Sequence, residues 1–221
     1  MNVFDIIGPV MIGPSSSHTA GAARIGKIAR LLFRDEVKVA EIKLYGSFAK
    51  TYKGHGTDKA LVGGILGMDP DDERIRESLV LAKEQGVEII ITKSLTEEDH
   101  PNTVQIKLIG KTDQELTVMG ASTGGGNIRI SKLNGLDVSI TGQHDTLIVV
   151  HNDVPGVVGR VAEFLGNCDI NLCNMTLARK TKGGVAVLSF EVDGNIDEDV
   201  TKFIERFPGV IQCTLLTVAR R

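Results

Sequence analysis

The sequence has no tryptophan, only two tyrosines and a formal net charge of −3. Nucleic-acid-binding proteins usually combine an excess of positive charge with aromatic side chains that stack on bases, so this composition argues against such a role. The weak negative charge also argues against binding to an anionic membrane surface. No apolar run approaches the roughly 18–20 residues that a membrane-spanning helix requires. We therefore expect neither nucleic acid nor a membrane as a partner.

Cysteine is also scarce, with three in a chain of 221 residues. An odd, small number is typical of a reducing compartment and not of a disulfide framework. Residues 1–12 predict buried extended chain or a short helix broken by a Gly-Pro pair, and the N-terminus lacks the basic segment and long apolar core of a signal peptide. These features predict a soluble cytoplasmic protein, and the length predicts one large or two ordinary domains.

The most distinctive segment is residues 13–21, with the sequence GPSSSHTAG. An apolar run at helical spacing follows it, which predicts a helix whose N-terminus the hydroxyls cap. Such a helix start concentrates hydrogen-bond donors where anions and carboxylates bind. A serine-rich capping turn without any ligand explains the same residues equally well. The polar side chains concerned are Ser15, Ser16, Ser17, His18 and Thr19.

Two other short segments present a histidine in an open setting. His55 lies between two glycines, where a backbone can approach a ligand closely. His100 is followed by Pro101 and Asn102, so a stiffened turn presents an imidazole and an amide two residues apart. Taken alone, each segment favours an ordinary loop or turn over a ligand site.

Hydrophobic patterning predicts a first domain that mixes helices and strands. Residues 39–47 alternate between apolar and polar side chains, as in a half-buried strand. Thr57 or Asp58 predicts the cap of a short helix, and Asp69 followed by Pro70 predicts the start of another. From residue 103 onward, alternating segments separated by turn residues predict an antiparallel meander.

A second unit follows a predicted linker at residues 141–145, and its pattern alternates strands and helices in the order βαββαβ. This order predicts a ferredoxin-like unit of about 75 residues. The chain as a whole is therefore predicted to be an α+β protein with domains at residues 1–141 and 146–221. The predicted strands of the second unit are residues 147–150, 170–179, 186–192 and 210–218, and its predicted helices begin near residues 157 and 197.

The second unit resembles an ACT domain, a small module that senses amino acids in metabolic enzymes. The resemblance rests on residues 152–161, NDVPGVVGRV, between the first predicted strand and helix. It implies an amino-acid effector bound at this turn and side-by-side self-association of the units. The effector-binding residues that it implies are Asn152, Asp153, Pro155 and Gly156.

The N-terminal part resembles the β-chain of the bacterial iron–sulfur L-serine dehydratases. The segments that carry this resemblance are residues 12–19 (IGPSSSHT), 45–47 (YGS), 54–60 (GHGTDKA) and 100–102 (HPN). The family's N-terminal domain is also similar to the allosteric substrate-binding domain of some phosphoglycerate dehydrogenases. The resemblance therefore implies an α/β domain of that type, with the three histidine segments in one pocket.

The resemblance implies conversion of L-serine to pyruvate and ammonia without pyridoxal phosphate. A [4Fe-4S] cluster with an open iron would act as Lewis acid on the leaving hydroxyl, and it needs three cysteine ligands. Cys168, Cys173 and Cys213 all lie in the second unit at spacings unlike a cluster loop, so we expect them to be buried apolar residues. The cluster is then expected on a partner α-chain, with no metal bound by this chain.

The resemblance also implies roles for individual residues. His55 or His100 would carry out acid–base chemistry or hold the charged ends of the substrate, and Asn102 would orient a partner. His18, counted with these residues in the catalytic set, would bind the serine carboxylate together with Ser15, Ser16, Ser17 and Thr19. Two other functions stay open: a purely regulatory serine-binding subunit, and a free-standing amino-acid-binding module without an enzyme partner.

Overall fold

The structure is a computed structural model that describes residues 10–194 and 196–217. The chain divides into two compact units, the first ending at Gly135 and the second beginning at Leu136. Both units contain helices and strands, which confirms the α+β class. Of the segment predicted at residues 1–12, residues 1–9 lie outside the described part of the chain, as does residue 218 of the last predicted strand.

The first unit contains a mixed sheet whose strands come both before and after a helical stretch of the chain. Its strand order is β2-β1-β3-β4-β5, in which β1 and β2 are parallel and the other neighbours are antiparallel. One π-helical turn, Ser16–Gly21, runs directly into the first helix. The elements are α1 (Ala22–Leu32), β1 (Val37–Leu44), α2 (Gly46–His55), α3 (Thr57–Ile65), a 3₁₀ helix (Glu73–Glu77), α4 (Ser78–Glu84), β2 (Glu88–Lys93), β3 (Thr103–Gly110), β4 (Glu115–Gly124) and β5 (Asn127–Leu133).

Helices α1 and α3 cross at very short range because each has a glycine at the crossing. A Cβ added to Gly26 would lie 2.3 Å from the carbonyl oxygen of Leu61, and one added to Gly64 would lie 2.1 Å from that of Ala23. The fully buried Ile25 and Leu61 belong to the same pair of helices. The crossing therefore fixes where the π-helical turn before α1 meets the start of α3.

Three local predictions for the first unit were wrong. Helix α2 was not anticipated, and His55 is its last residue instead of part of an open loop. Neither Thr57 nor Asp58 caps α3; the residue before the helix is Gly56, at φ +68°. Asp69 and Pro70 form a turn instead of a helix start.

The turn at Asp69 and Pro70 has a physical cause in its neighbours. The Pro70 carbonyl accepts a hydrogen bond from the Ile12 amide at 2.8 Å, and Asp69 pairs with Lys27 at 2.5 Å. Asp69 and Pro70 are therefore held by contacts with Lys27 and Ile12, which lie far from them in the chain. The 3₁₀ helix begins later, where the Asp72 carboxylate accepts from the Arg74 amide.

The second unit is an antiparallel sheet with the strand order β10-β7-β9-β8. Helix α5 buries Val157, Val161 and Leu165 against a core that includes Leu188 and Phe190. The elements are β6 (Leu136–Ile140), β7 (Asp145–Asn152), α5 (Val157–Asn167), β8 (Asn171–Arg179), β9 (Val185–Asp193), α6 (Glu198–Ile204) and β10 (Val210–Leu216).

Two of the three cysteines contradict the expectation of burial, and their positions in the fold explain why. Cys213 is buried in the core beside β7, as expected. Cys168 is exposed because it follows the last turn of α5. Cys173 is exposed in β8, at a shift of the strand register between Leu172 and Asn174.

Within residues 10–194 and 196–217, none of the helices combines the length and the apolar character needed to cross a bilayer.

Replacing Gly64 by alanine should destabilise the first unit. The added Cβ would force α1 and α3 apart, and we expect the free energy of unfolding to fall by about 2 kcal/mol, a usual cost of overpacking. Gly54→Ala is the matched control, because no heavy atom lies within 4 Å of its added Cβ. Urea denaturation measures both variants, and equal stabilities would contradict the close helix crossing.

Candidate active site

The serine-rich segment forms a capped turn that points His18 inward. The Ser15 hydroxyl accepts a hydrogen bond from the His18 amide at 3.2 Å, and the Ser15 carbonyl accepts one from the Thr19 amide at 2.8 Å. Gly13 permits this turn, because it adopts φ +143° and an added Cβ would lie 2.4 Å from the Thr19 hydroxyl. The Ser15 side chain therefore caps the turn, and the His18 imidazole can contact other residues.

His18 and His55 form a pair of adjacent imidazoles. Their ring centroids are 4.6 Å apart at an interplanar angle of 72°. His18 also packs edge-on against Phe48, at 5.2 Å between centroids, and its Nε2 lies 3.2 Å from the Ser47 hydroxyl. Its Nδ1 lies 3.4 Å from the Ser15 hydroxyl. The two serines and Phe48 thus hold the ring in one orientation.

Burial lowers the pKa of His18, and the neighbouring His55 lowers this pKa further. Only 9% of the His18 surface is exposed. An imidazolium ion there would lose its hydration and be repelled by a second positive charge. His18 is therefore held as a neutral imidazole near neutral pH, the form that can accept a proton.

The turn at His100 is fastened to the start of α2 by main-chain hydrogen bonds. The Pro101 carbonyl accepts from the Ser47 amide at 2.6 Å. Gly46 makes this approach possible, because it adopts φ +50° and an added Cβ would lie 2.5 Å from the Pro101 oxygen. The contact brings residues 100–102 to the helix that carries Ser47 and His55.

Within this turn, the His100 ring forms a hydrogen bond with the backbone of the same turn. Its Nδ1 accepts a hydrogen bond from the Asn102 amide at 3.1 Å, which leaves Nε2 to carry the proton of the neutral ring. The His100 carbonyl accepts from the Thr103 hydroxyl at 2.6 Å. The Asn102 carbonyl in turn accepts from the Ser122 amide on β4.

Several polar atoms around the histidine pair are buried and have no hydrogen-bond partner among the described residues. Buried polar groups are nearly always paired in folded proteins, so unpaired ones are typical of a place that receives a ligand or water. Four such atoms belong to the sequence motifs of the first unit: Thr19 Oγ1, His55 Nδ1, Thr57 Oγ1 and Asn102 Oδ1. Two further ones, His151 Nε2 and Arg160 Nε, lie in the second unit.

A cavity of about 310 Å³ adjoins His55, and its wall carries positive charge. Lys53, Lys59 and Arg76 line it, together with Ile12 and other residues of the N-terminal segment. This volume is of the size that small-molecule sites have, and three cations favour an anionic group such as a carboxylate. The cavity can therefore hold a small acid beside His55.

The structure thus brings together Ser15, His18 and His55, and it fastens Asn102 nearby. Ser16 and Ser17 are half-buried in the π-helical turn. Sequence reasoning placed none of Ser47, Thr57, Lys53, Lys59 and Arg76 in the site, and it considered Thr57 only as a helix cap. The two lysines flank His55 in the chain and could have been found there, whereas Arg76 reaches the cavity only through the fold.

The four predicted effector residues lie where β7 passes into α5. The Asp153 carboxylate accepts a hydrogen bond from the Gly183 amide at 2.9 Å and pairs with Arg179, and both contacts lower its pKa. Gly156 adopts φ +89° immediately before α5, and the Asn152 amide donates to the Gly209 carbonyl. Pro155 is exposed. Asp153 is therefore engaged in holding the β8–β9 turn.

The three cysteines do not fit an iron–sulfur cluster held by this chain. Cys213 is buried in the core, whereas Cys168 and Cys173 are exposed. Among the described residues, one group of side chains could hold a metal ion, and it contains a single cysteine: His144, Cys173 and Asp193.

His55→Gln should raise the pKa of His18, because it removes a neighbouring positive charge while filling similar space. The rise should be partial, since burial is the larger cause of the lowered pKa and remains in the variant. NMR titration of the histidine ring protons of the full chain measures it, with His144→Gln in the other unit as control. An unchanged His18 pKa in His55→Gln would contradict the pairing of the two rings.

Comparisons with known proteins identify the family. Residues 2–132 match the family described as serine dehydratase beta chain. The chain is 47% identical over 213 residues to the "Probable L-serine dehydratase, beta chain" of Bacillus subtilis (strain 168), covering 96% of both chains. It is 38% identical over 210 residues to the "L-serine dehydratase, beta chain" of Peptoniphilus asaccharolyticus, covering 93% of this chain and 95% of that one.

A more distant similarity extends to another class of enzyme. The chain is 27% identical over 197 residues to a D-3-phosphoglycerate dehydrogenase of Bacillus subtilis (strain 168), which covers 88% of this chain but only 37% of that protein. The two beta chains, by contrast, match along nearly their whole length. The chain therefore belongs to the serine dehydratase beta chain family.

Proposed function

We propose that this chain is the β subunit of an L-serine dehydratase, and that the site around His18 and His55 closes one side of an active site shared with an α-chain. Serine dehydratase beta chain relatives support a role in this enzyme and in amino-acid metabolism. The observation that carries a catalytic role is the contact between the buried His18 ring and the half-buried His55 ring, in motifs that also carry buried, unpartnered polar atoms.

The proposed reaction combines proton transfers with the departure of a hydroxyl group, and this chain's residues suit the proton transfers. Loss of the α-proton and the β-hydroxyl from serine gives aminoacrylate and water, and hydrolysis of its imine tautomer then yields pyruvate and ammonia. Removing the α-proton needs a base in its unprotonated form, and the lowered pKa of His18 keeps such an imidazole available beside His55. His100, with Nδ1 occupied by the Asn102 amide, could exchange a proton through Nε2.

Substrate binding is proposed for two groups of residues next to these imidazoles. The serine carboxylate would be held by the hydroxyl-rich turn, whose Thr19 hydroxyl is buried and unpartnered. Lys53, Lys59 and Arg76 would add favourable charge around the adjoining cavity. Asn102 Oδ1, also unpartnered, would accept a hydrogen bond from the substrate or from a neighbouring donor.

The iron–sulfur cluster is proposed to reside on the α-chain, because the cysteines of this chain do not converge. The cluster would supply the Lewis acid for the departing hydroxyl. No pyridoxal phosphate is proposed. The cytoplasm, a reducing compartment, is the proposed location.

The second unit is proposed to be an ACT domain that self-associates and senses an amino acid near Asn152 and Gly156. Strand β8 lies at the edge of its sheet, so one row of its backbone groups is available for pairing with a second copy. Met175 and Leu177 on that strand are each 49% exposed. An apolar edge strand of this kind favours side-by-side sheet extension between two copies.

A purely regulatory role is the second candidate. The similarity to part of D-3-phosphoglycerate dehydrogenase favours it, because the matched region covers only 37% of that enzyme. In this case the site would bind serine and change the cooperativity of a partner without supplying any catalytic group. The two candidates differ in the turnover expected at saturating serine.

Alanine at His18, His55 or His100 should separate these functions. If the histidine pair carries proton transfer, His18→Ala and His55→Ala should each lower kcat at saturating serine by at least about a hundredfold, the usual size of such a contribution. Pyruvate formation is measured anaerobically with the α-chain, and Lys83→Ala on the exposed face of α4 is the control.

The regulatory candidate gives a different pattern in the same assay. Near-normal kcat in all three histidine variants, with altered cooperativity alone, would overturn the catalytic role. Full activity of the α-chain by itself would do the same. Thermal unfolding and co-purification with the α-chain establish that each variant is folded and assembled.

Met175→Lys should weaken self-association of the full chain. A charge on the edge of β8 disfavours strand pairing, and we expect the dimer dissociation constant to rise by at least about tenfold. Val80→Lys is the control, because Val80 is an equally apolar residue, 59% exposed, on α4 of the other unit. Sedimentation equilibrium measures both variants, and equal dissociation constants would remove β8 from the interface.

A further inference from the structure

Three side chains of metal-binding type meet at one end of the second sheet. His144 lies directly before β7, Cys173 lies in β8, and Asp193 is the last residue of β9. One ligand atom from each lies within 4.8 Å of the other two. His144 is half-buried, and Cys173 and Asp193 are exposed. The group is part of a different unit from the imidazole pair, and the proposed serine chemistry does not use it.

The strand register explains why residues so distant in the chain converge here. Asp145 pairs with Val192, so His144 and Asp193 each lie one residue beyond that pair on adjoining strands. Asn171 pairs with Asp193 on the other side, which brings the start of β8 to the same end. The Asn171 amide donates to the Asp193 carboxylate at 2.7 Å and fixes its orientation.

A β-bulge places the cysteine in this group. Leu172 pairs with Val192 and Asn174 pairs with Glu191, so Cys173 is an extra residue without a partner in the ladder. Bulges redirect side chains and are common beside functional sites. Without the bulge, strict alternation along β8 would put Leu172 and Asn174 on one face. Here Leu172 packs on the core, and Asn174 donates to Glu191 on the opposite face.

The surroundings of the group are negatively charged. Glu191 lies two residues before Asp193 on β9, so the two carboxylates share a face of the sheet. Glu191 is only 4% exposed, and its carboxylate accepts hydrogen bonds from the amide and hydroxyl of Thr141 at 2.8 and 2.6 Å. The Asn174 amide donates a further hydrogen bond to this carboxylate at 3.1 Å. A buried carboxylate held by three donors next to the group favours a nearby cation.

We propose that His144, Cys173 and Asp193 form a binding site for a divalent cation of borderline softness, with Zn²⁺ as the best match. Imidazole, thiolate and carboxylate are the three ligand types that zinc uses, and one thiolate with one carboxylate neutralises its charge. Tetrahedral zinc, with bonds of roughly 2.0–2.3 Å, needs ligand atoms about 3.3–3.8 Å apart. Because the three atoms lie within 4.8 Å of one another, they need to close by no more than about 1.5 Å. Rotation of the exposed Cys173 side chain can supply this movement. Water or a ligand from another molecule would complete the coordination.

The test uses Co²⁺ as a spectroscopic probe on the tag-free full chain after treatment with a chelator. A cobalt–thiolate bond gives a near-ultraviolet charge-transfer band, so Co²⁺ should produce this band in saturable fashion and Zn²⁺ should displace it. Cys173→Ser should abolish the band. Asp193→Asn, which keeps the shape of the side chain, should weaken binding by at least about tenfold.

Cys168→Ser is the matched control, because Cys168 is the other exposed cysteine and lies outside the group. It should leave both the band and the affinity unchanged. The proposal is overturned if no saturable thiolate band forms in the wild-type chain, or if Cys168→Ser removes the band while Cys173→Ser retains it. A second readout is thermal unfolding: Zn²⁺ should raise the midpoint of the wild-type chain and of Cys168→Ser, and it should fail to do so in Cys173→Ser.

Discussion

The burial of the His18 imidazole is the constraint on which the candidate site depends. A nearly enclosed ring must stay neutral and must find polar partners, and it does so through two serine hydroxyls and a second imidazole. These partners come from the turn before α1 and from both ends of α2. Separation of these segments would remove the polar contacts of a buried ring, which is costly. The polar groups of the site therefore help to hold its segments together.

The first unit meets this constraint with glycines at close backbone contacts. Gly46 lets the start of α2 touch the Pro101 carbonyl, and Gly26 and Gly64 let α1 and α3 cross at contact distance. A side chain at any of the three would separate segments that carry site residues. The sheet then supplies a fixed base, because β3 begins immediately after the turn that holds Asn102. Packing and site geometry thus depend on the same few positions.

The sequence predicted the parts of this arrangement that are local. The hydroxyl-rich turn and the strands of the meander follow from residue type and alternation, and the motif residues His18 and His55 do meet. The turn at Pro70 could not be predicted, because a distant contact with the Ile12 amide overrides local preference there. The end of α2 is local, since Gly56 closes it in the left-handed conformation, but the helix itself was not anticipated. The exposure of Cys173 depends on a single bulge, which alternation cannot indicate.

The chemistry of the two units also differs in kind. The first unit supplies neutral imidazoles, hydroxyls and cations, and all three cysteines lie outside it. Such a set can move protons and hold a carboxylate, but it offers no thiolate ligand to a metal that would take the hydroxyl group of serine. The proposed function therefore assigns the proton transfers to the first unit and the Lewis acid to a partner chain. Under that proposal, this difference in side-chain chemistry would be a physical reason for an active site shared between two subunits.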